Sequence, residues 1–101
     1  MQVLALPDDP PALADYPGDD CPFRGAYRIG DAQRVTINCA DAGLISQRQN
    51  RPPAIYRAEW PDIFFLPGQP RTRRIFLRNE SGDVIAFVDR REGHDIRWER
   101  E

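Results

Sequence analysis
The chain contains no lysine, one histidine (His94), two cysteines (Cys21 and Cys39) and two serines (Ser46 and Ser81). Each shortage removes a class of chemistry. A zinc site draws on several Cys or His at close spacing, and one histidine with two cysteines eighteen positions apart does not supply it. Nucleophilic catalysis needs a Ser or Cys beside a base that a third group orients. Here Ser81 falls in a turn cluster, Gly-x-Ser-x-Gly does not occur, and His94 sits in the turn Glu92-Gly93-His94-Asp95 beside two acids. A Gly-rich phosphate loop is missing as well. Glu59 and Asp62, the nearest approach to paired carboxylates, flank Trp60-Pro61 at a strand-entry corner. The chain therefore reads as non-catalytic, without metal or cofactor; a stand-alone enzyme working through His94 is the alternative.

Long apolar runs are also absent. No segment approaches the length of a membrane span, and Met1-Gln2-Val3-Leu4-Ala5-Leu6-Pro7 has neither the basic n-region nor the apolar stretch of a signal peptide. A cytoplasmic location with no membrane partner is expected on those grounds. All fourteen basic residues are arginine, which genome base composition explains as readily as a need for bidentate anion recognition. The net charge of −2 is unevenly spread. Asp8, Asp9, Asp15, Asp19 and Asp20 stand in the first twenty residues without an arginine, so the remainder carries +3, fourteen arginines against eleven acids. A nucleic-acid binder usually shows a larger, clustered surplus, which makes arginine-dependent nucleic-acid binding the weakest reading.

A chain of 101 residues is one domain with one modest core. Ten prolines and seven glycines punctuate it too often for long helices, so many short strands are the expected outcome. Residues 1–22 hold Pro7, Pro10, Pro11, Pro17 and Pro22 among acids and read as an extended arm that adds little to the core, with one helical turn over 12–16. Residues 23–101 read as the folded domain. Strands are expected near 25–29, 34–39, 43–47, 53–57, 62–66, 72–78, 84–90 and 95–100, an antiparallel meander that closes on itself.

The clearest hairpin joins Arg73-Arg74-Ile75-Phe76-Leu77-Arg78 to Val84-Ile85-Ala86-Phe87-Val88 through Asn79-Glu80-Ser81-Gly82-Asp83, with Gly82 where positive φ is wanted. A three-residue loop over 80–82 pairs Asn79 with Asp83, Leu77 with Ile85, Ile75 with Phe87 and Arg73 with Asp89. Both faces of this hairpin are partly apolar, which suits a barrel wall. A four-residue turn Gly30-Asp31-Ala32-Gln33 in the first hairpin sets Cys39 opposite Arg24, so two ordinary thiols are expected, with Cys39 in the core. A Cys21–Cys39 bridge would require Pro22 to turn the chain back.

The order Gly25-Ala26-Tyr27-Arg28-Ile29, Gly43-Leu44-Ile45, Pro53-Ala54-Ile55-Tyr56, Asp62-Ile63-Phe64-Phe65-Leu66-Pro67-Gly68, Ile75-Phe76-Leu77-Arg78 and Gly82-Asp83-Val84 resembles the small lipocalin-like β-barrel domain of unknown function found C-terminal to serine β-lactamase-like hydrolases and peptidases. The resemblance covers roughly residues 23–90. It implies an all-β lipocalin-like barrel or half-barrel of about eight strands serving as an accessory domain; the family has no agreed catalytic residues, so the resemblance leaves activity open. The acidic arm and the Ile96-Arg97-Trp98 tail lie outside that pattern.

Aromatic and guanidinium side chains are what remain for recognition. An eight-stranded barrel is just wide enough to be filled or to hold one small ligand. Arg74 and Arg78 alternate with Phe76 on one strand face. The simpler reading puts both guanidiniums outside, snorkelling over apolar surface. The inward reading makes them the polar contacts of a small acidic or amphipathic ligand, with Tyr56, Trp60, Phe76 and Trp98 as further ligand-binding residues. The chain is thus expected to be a binding or interaction module whose partner is a protein or such a ligand.

Overall fold
The computed structural model describes residues 11–12, 21–40 and 43–101. The helical turn expected over 12–16 and most of the arm lie outside them. Eight strands, β1 (Gly25–Ile29), β2 (Gln33–Ala40), β3 (Gly43–Arg48), β4 (Ala54–Trp60), β5 (Ile63–Leu66), β6 (Gln69–Arg78), β7 (Val84–Arg91) and β8 (His94–Arg100), form an antiparallel meander. They close into a barrel in which β8 returns to β1. The all-β barrel expected from the strand spacing is therefore the fold. No helix of the described residues is long and apolar enough to cross a membrane.

Period-2 alternation packs the interior. Tyr27, Val35, Ile37, Leu44, Tyr56, Phe64, Phe76, Phe87 and Trp98 point inward from all eight strands and are at most 4% exposed. Phe76 touches Phe23, Phe64 and Phe87 at centroid distances of 4.5, 5.6 and 5.4 Å. Offset and edge contacts of this kind add to the apolar area buried.

One end of the barrel is plugged by residues 21–24. Phe23 is fully buried against Phe64 and Phe76, and its carbonyl accepts a hydrogen bond from the Tyr27 hydroxyl at 2.8 Å. Burial, partly offset by Arg100, pushes that hydroxyl up to about 12. Arg100 Nη1 donates to the carbonyls of Pro22 and Val84 at 3.0 Å each. These bonds brace the β1–β8 closure, whose register comprises Tyr27↔Arg100 and Arg28↔Glu99.

Cys21 and Cys39 form a disulfide, with Cα atoms 5.9 Å apart. This corrects the expectation of two free thiols. The first hairpin loop has three residues, because Ile29 pairs with Gln33 and Gly25 with Ile37. That register sets Cys39 beside residue 23 and not Arg24. Pro22 makes the required turn, with Arg24 N donating to Cys21 O at 3.3 Å. Closing a loop with a sequence separation of 18 stabilises by about 3 kcal/mol through the unfolded chain. Thermal melts with and without reductant should differ accordingly; equal melting temperatures would show that the bridge does not tether the plug.

The β6–β7 turn forms as expected. Gly82 has φ +85°, its N–H donates to Asn79 O at 3.0 Å, and Asn79 N donates to Asp83 O at 2.9 Å. Beyond it the register differs, since Arg78 pairs with Val84 but Leu77 with Ala86, leaving Ile85 as a bulge. One extra residue flips the parity of everything beyond it. Phe87 consequently faces Phe76, and Asp89 faces Arg74; the expected Arg73–Asp89 pair does not form. Arg73 instead pairs across to Arg90 and holds Glu59 at 2.8 Å.

Candidate functional site
The end opposite the plug, where the β1–β2, β3–β4, β5–β6 and β7–β8 connections lie, is open on one side. Pairing between β3 and β4 runs only from Leu44↔Tyr56 to Ser46↔Ala54, whereas β2 stays paired with β3 as far as Arg48. The cause is Pro52-Pro53, which cannot donate to a ladder and leads β4 away from β3. Gln47 Nε2 donates to the carbonyl of Arg48 at 3.1 Å and to that of Arg51, holding the loop in this course. The splay leaves a cavity of about 270 Å³ bordered by Ser46, Arg48, Arg51, Tyr56, Arg74 and Arg91.

Arg74 is its floor. The side chain enters from β6, is 2% exposed, and donates through Nη1 to Ser46 Oγ at 2.7 Å. Its guanidinium lies 4.2 Å from the Tyr56 ring centre and 4.6 Å from that of Phe87. Asp89 reaches in from the adjacent strand, with Oδ1 3.8 Å from Arg74 Nε and Oδ2 3.0 Å from Arg91 Nε. Arg48 stacks over Trp98 at 4.9 Å.

The electrostatics are unbalanced. Burial lowers the Arg74 pKa; Tyr56 and Asp89 oppose that, and Arg48 and Arg91 deepen it by repulsion. At Arg91 partial burial works against the charge, but Asp89 and the Tyr56 hydroxyl outweigh it and the pKa rises. Arginine remains charged throughout. Four guanidiniums line the cavity, the nearby carboxylate of Asp89 lies behind Arg74 and Arg91 and does not line it, and Arg74 Nε, Asp89 Oδ1 and Trp98 Nε1 are buried without a hydrogen-bond partner among the described residues.

The sequence candidates separate into two groups. Arg74 and Tyr56 border the cavity, and Trp98 lies beneath Arg48. Arg74 points inward, against the simpler expectation of an outer position. Phe76 lies in the aromatic core, away from the cavity. Arg78 is near the plugged end, holding Asp62 through Nε and Nη2 at 2.9 Å each and donating to Gly82 O at 2.8 Å. Trp60 is 63% exposed, because a register shift between Ala58 and Trp60 breaks the alternation that would carry it inward. His94 is exposed and pairs with Arg91 across β7 and β8. Among the described residues no cluster of His, Cys, Asp and Glu is suited to a metal ion.

Ser46, Arg48, Arg51, Asp89 and Arg91 were not singled out from the sequence. The period of β3, Leu44-Ser46-Arg48, already places Ser46 and Arg48 on the leucine's face. Asp89 was masked by the bulge at Ile85. No known protein family, curated protein or solved structure matches the chain.

Proposed function
We propose that this chain is a non-catalytic, lipocalin-like binding module that takes a small anionic ligand in the arginine-lined mouth of its barrel. The observation that carries this reading is a cavity lined by four guanidiniums, Arg48, Arg51, Arg74 and Arg91, with no carboxylate among its lining residues and with Arg74 itself buried. Burying a guanidinium is costly unless its donors are met, and an incoming carboxylate or phosphate oxygen meets them. The aromatic faces of Tyr56 and Phe87 beside Arg74 suit the apolar part of an amphipathic acid. The resemblance to hydrolase-associated barrel domains favours an accessory role. The Cys21–Cys39 disulfide favours an oxidising compartment over the cytoplasm.

Titration of inorganic phosphate and of acetate into isotope-labelled protein, at constant ionic strength made up with chloride, tests the site. Saturable amide shifts are expected at Ser46, Tyr56, Arg74 and Arg91, with none at Phe23 or Arg100. Each charge-assisted contact is worth about 1.5–3 kcal/mol, so Arg51→Ala or Arg91→Ala should weaken binding about tenfold. Shifts no larger than those chloride produces, or affinities unaltered in both variants, would overturn the reading.

A further inference from the structure
Resting on that reading, we infer that the preferred ligand is an elongated dianion, with an anionic head at each end of a short spacer, and that Arg48 and Arg51 stand between the two heads. A second hollow of about 390 Å³ adjoins the first at the barrel mouth and is bordered by Asp31, Gln33, Arg34, Gln49 and Asn50. Arg48 and Arg51 line both hollows. Of the arginines lining either hollow, these two hold no carboxylate among the described residues, whereas Arg74 and Arg91 share Asp89 and Arg34 holds Glu101 at 2.6 Å. The uncompensated charge of the mouth is thus concentrated on the wall that the two hollows have in common.

A single turn builds that wall. Arg51 N donates to Arg48 O at 3.3 Å, and Asn50 takes the left-handed φ of +62° that asparagine tolerates. The first and fourth residues of such a turn have Cα atoms within about 7 Å of each other, so the two arginines are rooted side by side. Gln47 Nε2, donating to both of their carbonyls, keeps them there, and Arg48 is further fixed by its stack on Trp98 at 4.9 Å. Like charges this close repel until an anion lies with them. A guanidinium carries more N–H donors than one carboxylate takes, so each fork can serve a head in the inner hollow and another in the outer one. The inner head also meets Ser46, Tyr56 and Arg91; the outer head has the carboxamides of Gln33, Gln49 and Asn50 as donors. Asp31, the acid on the outer rim, is fully exposed and lies 3.8 Å from Arg28. Once one head is bound the other acts at high local concentration, so a spacer that matches the span gains affinity without added charge.

The closing experiment varies spacer length at fixed charge on the intact chain, at neutral pH and constant ionic strength. One series is the linear dicarboxylates from malonate to adipate, the other the bisphosphates of the α,ω-alkanediols of matching length, with acetate and inorganic phosphate as single-headed references. At least one series should pass through an optimum about tenfold tighter than its weakest member, and which series does so distinguishes carboxylate from phosphate heads. The best member should shift the amides of Gln33 and Gln49 together with those of Ser46 and Tyr56. Gln49→Glu adds a negative charge to the outer hollow alone, so it should weaken the best dianion several-fold more than acetate. Affinities that are flat with length in both series, shifts confined to Ser46 and Tyr56, or equal losses for dianion and acetate in Gln49→Glu would overturn the two-headed ligand while acetate or phosphate binding left the anion site standing. The absence of any saturable shift with every ion would remove the anion site itself. The length series on the unaltered protein decides the question even where Gln49→Glu folds poorly.

Discussion

Arg74→Ala is expected to destabilise the protein by about 3 kcal/mol, the low end of the cost of removing one partner from a buried ion pair. Asp89, 3% exposed, would keep Arg91 on one oxygen but lose the buried guanidinium beside the other. Ser46 would lose its 2.7 Å donor, and a cavity would open between Tyr56 and Phe87. For a domain of this size that cost lowers the melting temperature by more than about 10 °C. Arg74→Leu combined with Asp89→Leu should recover most of the loss, since an apolar pair leaves no charge stranded. A single-variant cost below about 1 kcal/mol would mean that Arg74 is solvated and the cavity floor is not dry. The same argument explains why rim residues Arg51 and Arg91, both exposed, are the better choice for measuring affinity.

Gly43→Ala should cost about 4 kcal/mol or prevent folding at 37 °C, placing it among the rare large single-site effects. Gly43 has φ +141°, and a Cβ there would run into the carbonyl oxygen of Tyr56 and approach Arg57 Cα to 3.1 Å. Both obstacles are backbone of β4, so no side chain can swing aside. The contact also lies at one end of the short β3–β4 register, beside Leu44↔Tyr56, and relieving it means prising apart a sparsely paired wall of the barrel that borders the proposed site. Gly82→Ala is the matched comparison. It has φ +85° but open space around the added atom, so only backbone strain of about 1 kcal/mol is expected. Chemical denaturation of the two variants measures the difference, and equal costs would remove the steric argument at Gly43.

Strand placement was largely legible from local chemistry. Pro67-Gly68, Asn79 to Gly82 and Glu92-Gly93 stop strands by a missing N–H or a permitted positive φ, and β5 to β8 begin and end within about three residues of the expected bounds. The aromatic content fills an eight-stranded interior, as Tyr27, Phe64, Phe76, Phe87 and Trp98 do. Parity was less legible. The Ile85 bulge, the three-residue β1–β2 loop and the shift between Ala58 and Trp60 each changed which side chain met which. A run such as Val84-Ile85-Ala86-Phe87-Val88 is apolar at every position, so nothing in it marks the residue that will be extruded.

The sequence by itself determined that the fold is all-β, because frequent Pro and Gly break helices locally and β-branched and aromatic runs between them favour the pleated backbone. It also excluded Cys/His zinc chemistry by residue count, which no folding can alter. Only the tertiary structure decided that Cys21 reaches Cys39, that Arg78 and Trp60 lie away from the cavity, and that Arg48, Arg51, Arg74 and Arg91 converge on one mouth. Those outcomes depend on register and closure, which are set by the summed packing of all eight strands and by single-residue bulges whose energies are small and have no distinct sequence signature.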